Sequence, residues 1–158
     1  MKKSQVHGQI FVYILTVVLV SFILVYGYNA IKNLKNRAEQ ISCLKLKNDL
    51  QISVESILSE FGSIKIKEID ICGGYKKICF VETFETPFLT SNVDPLIRDS
   101  VSSNAGKNVF LVDKIAKESF YIGRISVDPD VLCISEASNK VRLKLEGRGN
   151  HAILSKAS

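Results

Sequence analysis

The chain has 158 residues, with 21 Lys and Arg against 16 Asp and Glu, a net charge of +5 and 46% hydrophobic residues. A basic surplus this small and this scattered excludes a nucleic-acid reader, which needs a concentrated basic face, and describes a solvated mixed-charge surface. After the apolar opening, the remaining length is enough for one small core and too short for two.

A short basic tail, residues 1–9 with Lys2 and Lys3, leads into nineteen uncharged residues from Ile10 to Tyr28. As a helix this run spans about 28 Å, close to the thickness of a bilayer's hydrocarbon layer. Its central Leu, Ile, Val and Phe residues each favour insertion by about 0.3–0.6 kcal/mol. Thr16 and Ser21, two of its few polar groups, are placed to bond back to helix carbonyls. Tyr26 and Tyr28 sit where amphipathic rings anchor at the headgroup level. A buried core helix would need protein on every side of so long a run. A cleaved secretory signal would want a shorter apolar region followed by a small-x-small site, and "VYGYNAIKNL" lacks that spacing. The expectation is therefore a retained transmembrane helix over residues 10–28, with the lipid bilayer as its first partner.

"HGQ" directly before an apolar helix resembles the class III signal of archaeal type IV pilin-like proteins. That resemblance implies cleavage between Gly8 and Gln9, with the hydrophobic helix left on the mature chain. At the fifth mature position such pilins carry Glu, a residue linked to subunit register in filaments; this chain has Tyr13 there.

Residues 29–62 predict an amphipathic helical arm. Ile31, Leu34, Ala38 and Ile41 recur at spacings of three and four, and Leu50, Val54, Ile57, Leu58 and Phe61 do so again in a shifted phase. Gly62 suits a helix stop, and "KLKNDLQ" at the phase change marks a candidate break. The apolar stripes call for a covering surface: the chain's own globular part, a sister copy, or the membrane surface; copies of the chain or other membrane helices are the partners expected through residues 10–60.

From residue 63 to 158 the period changes to alternation, and a small β-rich domain is expected. "IKIKEIDI" places Ile64 and Ile66 on one face and Ile69 and Ile71 on the next, which predicts a bulge near Lys67–Glu68. Gly73–Gly74 reads as a turn before the strand "KKICFVE". "TPFLTSNVDP" reads as a loop, and Asp94–Pro95 as the cap and first residue of a short helix, "PLIRDSV". "SSNAGKN" reads as an exposed loop, and "VFLV", "SFYIGRISV" and "VLCISE" as strands. "KVRLKLEG" alternates with Val141, Leu143 and Leu145 inward, before "GRGN" turns the chain into a last strand near "HAIL". The expected fold class is α+β: a long N-terminal helix followed by a small, mainly antiparallel sheet domain, which fits the pilin-like lollipop. "FGSIKI", "KKICFVE", "NVFLV", "VLCI" and "KLEGRGN" in succession are also similar to single-pass archaeal membrane proteins of unknown activity.

Cys43, Cys72, Cys79 and Cys133 allow three pairings. Zinc would favour C-x2-C pairs, and none exists, so no metal is expected. Cys79 and Cys133 lie among apolar neighbours, where free thiols are ordinary core residues. With the domain in an oxidising exterior, Cys79–Cys133 and Cys43–Cys72 are the preferred bridges; a Cys72–Cys79 hairpin bridge stays open. Lys32, Lys35, Arg37, Lys45 and Lys47 after the apolar run would place the domain in the cytoplasm on a simple charge count. The even cysteine count and both resemblances place it outside, which is the reading adopted.

The sequence has no P-loop, HExxH or GxSxG, and His151 has no evident partner for acid–base work. Asp94, Asp99 and Asp128 read as caps and turn formers. No catalytic residue and no cofactor are expected. The function expected is that of a membrane-anchored, non-enzymatic surface protein, a pilin-like subunit or part of a surface assembly. The alternative is a membrane-tethered binding or sensor domain acting as a monomer or dimer.

Overall fold

The structure is a computed structural model that describes residues 5–83, 93–135, 138 and 140–157. The fold is α+β. Helix α1 spans Gln5–Leu58, so it begins ahead of Ile10, includes Gly8 and Gln9, and passes through "KLKNDLQ" without a break. By contacts the chain divides into two compact units, Met1–Ala38 and Glu39–Ser158.

Within the second unit, the end of α1 supplies Leu46, Leu50, Val54 and Ile57 to the main core, all buried. Spacings of four, four and three put them on one helical face. Ile41 falls on the opposite face at 100° per residue, and it is 65% exposed. Ile31, Leu34 and Ala38, upstream, are exposed as well. Phe61, beyond the helix, is 76% exposed and is no core residue either.

Among the described residues eight strands follow: β1 (Ile64–Asp70), β2 (Lys77–Val81), β3 (Val109–Val112), β4 (Ala116–Phe120), β5 (Ile125–Val127), β6 (Val131–Ile134), β7 (Lys140–Gly147) and β8 (Ala152–Lys156), with helix α2 (Pro95–Ser102) between β2 and β3. They form two four-stranded sheets, ordered β1-β7-β8-β5 and β4-β3-β2-β6. All pairs are antiparallel except β5 with β8, which is parallel. The domain is mainly antiparallel, as expected, and its described strands divide between two sheets. The Gly73–Gly74 turn does not close a hairpin: β1 and β2 belong to different sheets, and the turn carries the chain from one to the other. "SFYIGRISV" likewise divides between β4 and β5, one in each sheet.

No bulge interrupts β1. Its register with β7 is continuous from Ile64↔Glu146 to Asp70↔Lys140. Ile64 and Ile66 therefore share the outer face with Glu68 and Asp70 and stay exposed, while Ile69 packs inward opposite Val141. The irregularity falls instead between Leu111 and Val112, where β3 meets β4. As an edge strand, β1 shows exposed Lys65 and Lys67, charges that oppose pairing with a further strand. In β7, Val141, Leu143 and Leu145 point into the core, as the alternation requires.

The run "VFLV" is buried on both faces because β3 is an inner strand covered twice. Val109 and Leu111 enter the main core, whereas Phe110 and Val112 join Cys79, Val81 and Ile97 in a second cluster. Ile97 comes from α2, whose start is fixed by Asp94: its Oδ1 accepts from the Leu96 N–H at 2.9 Å, with Pro95 as first helical residue. The "TPFLTSNVDP" segment lies mostly outside the described residues, which resume at residue 93.

"SSNAGKN" is exposed up to Lys107, but its last residue, Asn108, is completely buried. Its Nδ2 donates to the Gly123 carbonyl at 2.7 Å, and its Oδ1 accepts from the Ile122 N–H at 3.1 Å. Next to it, Thr83 Oγ1 accepts from the Ile125 N–H at 3.2 Å, and Glu82 Oε2 from the Val127 N–H at 2.8 Å. These three side chains supply partners to backbone groups of 122–127, among them the buried Ile122, Ile125 and Val127. Asn108→Ala would orphan an N–H and a carbonyl there, and an expected loss of roughly 2–3 kcal/mol follows. Urea unfolding of the full-length protein in detergent micelles measures it; a loss under about 0.5 kcal/mol, the size of an ordinary surface substitution, would contradict this role.

Candidate functional site

The apolar segment is the first candidate. Gln9–Leu58 contains an 18-residue window of mean hydropathy 2.6, none of it buried, and is long and apolar enough to cross a membrane. From Ile10 to Tyr28 every residue is exposed except the half-exposed Gly27. The α-helix satisfies the peptide groups internally, which the hydrocarbon layer demands. Two of the hydroxyls in the run are also satisfied: Thr16 Oγ1 donates to the Tyr13 carbonyl and Ser21 Oγ to the Val17 carbonyl, each at 2.8 Å. Tyr26 and Tyr28 are 70% and 69% exposed at the end of the run, and Phe22 stacks on Tyr26 with ring centroids 6.4 Å apart. Such a surface is suited to lipid tails or apolar helices, and poorly to water.

The cysteines form two bridges, Cys43–Cys72 and Cys79–Cys133, and no cysteine is free. The first links α1 to the segment just after β1, and both residues belong to or pack on the main core. The second joins residues directly opposed on β2 and β6. The Cys72–Cys79 alternative is excluded, because Cys72 is bonded to Cys43 and Cys79 to Cys133. Cys79 is buried as its neighbours suggest; Cys133 is exposed, because β6 is an edge strand and its third residue faces outward.

A cleft of about 780 Å³ opens beside this second bridge, lined by both cysteines together with Ile97 of α2 and Val112 of β3. Carboxylates at Asp94, Asp113, Asp128 and Asp130 and the ammonium groups of Lys77 and Lys114 line it as well. Much of this charge has structural work. Asp94 caps α2 and its Oδ2 also accepts from the Ala116 N–H at 3.3 Å; Asp113 pairs with Lys117 at 3.4 Å. Among the described residues no cluster of three or more His, Cys, Asp or Glu is placed to hold a metal ion. His151, far along the chain, has its Nδ1 2.7 Å from Asn150 Oδ1.

Tyr75 lies half-buried near the other bridge, its ring close to Gly73, which also borders Cys43 Sγ. Burial raises its pKa above the usual phenol value, with the charge and hydrogen bond of Glu118 adding to the effect. Lys140 is raised too, first by its hydrogen bond to Glu68 at 3.0 Å and then by that carboxylate's charge.

The cleft and the Asn108 cluster were not legible as sites in the sequence. Their residues come from β2, α2, β3 and the segments flanking β5, which only the pairing of the second sheet and its link to β5 bring together. Asn108 carries one weak signal, an amide placed directly before a strand. No protein-family model, curated protein or solved structure matches this chain.

Proposed function

We propose that this chain is a membrane-anchored surface protein. Its apolar helix stays in the bilayer as a single span, and its bridged sheet domain stands on the extracytoplasmic side as a pilin-like or surface-assembly component that acts by contact and not by catalysis. The observation that carries this reading is the nineteen-residue uncharged run of helix, open to its surroundings along its length. Sidedness rests on the two disulfides. Lys32, Lys35 and Arg37 argue for a cytoplasmic domain by the positive-inside tendency. Two bridges outweigh them, because the cytosol keeps such thiols reduced while an exterior keeps them paired. The cleft beside Cys79–Cys133 favours a second reading, a tethered binding or sensor domain.

Full-length protein in vesicles should resist extraction by alkaline carbonate. Leu19→Arg, at the centre of the run, should weaken insertion by about 3–4 kcal/mol and release a soluble fraction. On intact cells, an impermeant phosphine followed by an impermeant maleimide should label the cysteines without permeabilisation. Wild-type protein washed free by carbonate would refute the anchor; labelling only after lysis would refute the exterior domain. A mature N-terminus at Gln9 and cross-links between copies through residues 10–40 would favour assembly, whereas their absence would favour the tethered binding domain.

A further inference from the structure

We propose that Cys79–Cys133 is an exchangeable disulfide, attacked at Cys133 Sγ by thiols entering the cleft, while Cys43–Cys72 remains closed. The two bridges differ in where they sit. Cys72 is 4% exposed, Cys43 is half-buried, and both belong to or lean on the main core under Tyr75 and Gly73. Cys72 does border a second cleft of about 500 Å³, but it presents almost no surface there. Cys133 is exposed, sits on a four-residue edge strand and borders the larger cleft, while its partner Cys79 is 1% exposed. Exchange requires a thiolate to approach one sulfur from the side opposite the other. Cys79 lines the cleft as well but is 1% exposed and packs with Ile97 and Phe110, so attack falls on the exposed Cys133.

In the first step a thiolate bonds to Cys133 Sγ and the bond to Cys79 breaks. Cys79 leaves with the electron pair and takes a proton from solvent. A second thiolate then attacks the incoming sulfur of the mixed disulfide and displaces Cys133 as a thiolate, which also takes a proton. Two thiols are oxidised to one disulfide, and the bridge is reduced by two electrons.

The cleft also selects by charge. Four carboxylates and two ammonium groups line it, and Lys117 offsets Asp113; a small negative excess remains, so an anionic thiol meets a repulsive field and a cationic one an attractive field. A small cationic thiol is therefore the favoured reagent class.

The test uses the folded, full-length protein in detergent micelles, treated with cysteamine or with 3-mercaptopropionate. Aliquots are quenched, alkylated and read by peptide mass spectrometry. Cys79 and Cys133 should become alkylatable at least about tenfold faster than Cys43 and Cys72, in keeping with access-controlled exchange. The first mixed disulfide should be on Cys133. After correction for each reagent's rate with a small neutral disulfide, cysteamine should be several-fold faster, and the ratio should fall towards one in about 1 M salt, where the screening length is roughly 3 Å. Asp128→Asn should reduce the same ratio without changing which bridge opens. Equal opening of the two bridges, prior opening of Cys43–Cys72, or a first adduct on Cys79 would overturn the proposal; a charge ratio unaffected by salt would overturn its selectivity. The measurement is made on purified protein, so it stands apart from the question of membrane side.

Discussion

Cys43→Ala combined with Cys72→Ala is expected to lower the stability of the folded domain by about 3.5 kcal/mol, the chain-entropy value for a loop of this length. The bridge closes a sequence separation of 29 residues with its Cα atoms 4.9 Å apart. In the unfolded chain it holds the α1 segment near the strand that follows; in the folded chain it fastens α1 at the point where its buried face begins, one turn before Leu46. The loss is larger in consequence than in size, since small domains hold only about 5–15 kcal/mol in total. Removing both cysteines avoids leaving a lone buried thiol. In urea the unfolding midpoint of the full-length protein should fall by on the order of 2 M. An unchanged midpoint would mean that packing of Leu46, Leu50, Val54 and Ile57 alone fixes the helix.

Gly147→Ala should cost about 3 kcal/mol or more, a large effect for one methyl group, because overpacking here meets backbone and not a side chain that can turn away. A Cβ on Gly147 would run into the carbonyl oxygens of Ile57 and Glu60. Those oxygens accept from the Glu60 N–H at 3.1 Å and the Ser63 N–H at 3.2 Å, and Gly147 is itself tied to the same turn. The Gly62 N–H donates to the Gly147 carbonyl at 2.8 Å, and the Gly147 N–H donates to the Ser63 carbonyl at 3.0 Å. The end of α1 thus rests directly on the last residue of β7, and the approach is possible only without a side chain. Thermal unfolding followed by circular dichroism would register the loss. Gly149→Ala makes an instructive comparison: its methyl group would meet only Phe61 at 3.9 Å, so its cost should be the smaller, coming from a φ of +86°. Equal effects at the two positions would remove the case for close contact at Gly147.

Much of the local structure could be read directly. The uncharged run from Ile10 to Tyr28 is legible as a helix long and apolar enough to cross a membrane, because nineteen residues without a charge leave no charged face. The Asp94–Pro95 start of α2 and the alternation of β7 were equally plain, since a cap or a period of two is a property of a few neighbouring residues. At β1 the local pattern misleads: Ile64, Ile66, Ile69 and Ile71 call for a bulge that would put them on one buried face. In the fold the edge strand remains regular, and Ile64 and Ile66 are left outside.

Composition and periodicity established an apolar helix, a β-rich remainder and four cysteines close enough in number and setting to pair, because each of these depends on the chemistry of adjacent residues. Which strands share a sheet, why Asn108 lies in the core, and why Gly147 must be glycine depended on contacts between segments tens of residues apart. Those contacts are selected by how the whole core fills, through the joint burial of Leu50, Ile57, Phe80 and Leu145, and no local pattern specifies them.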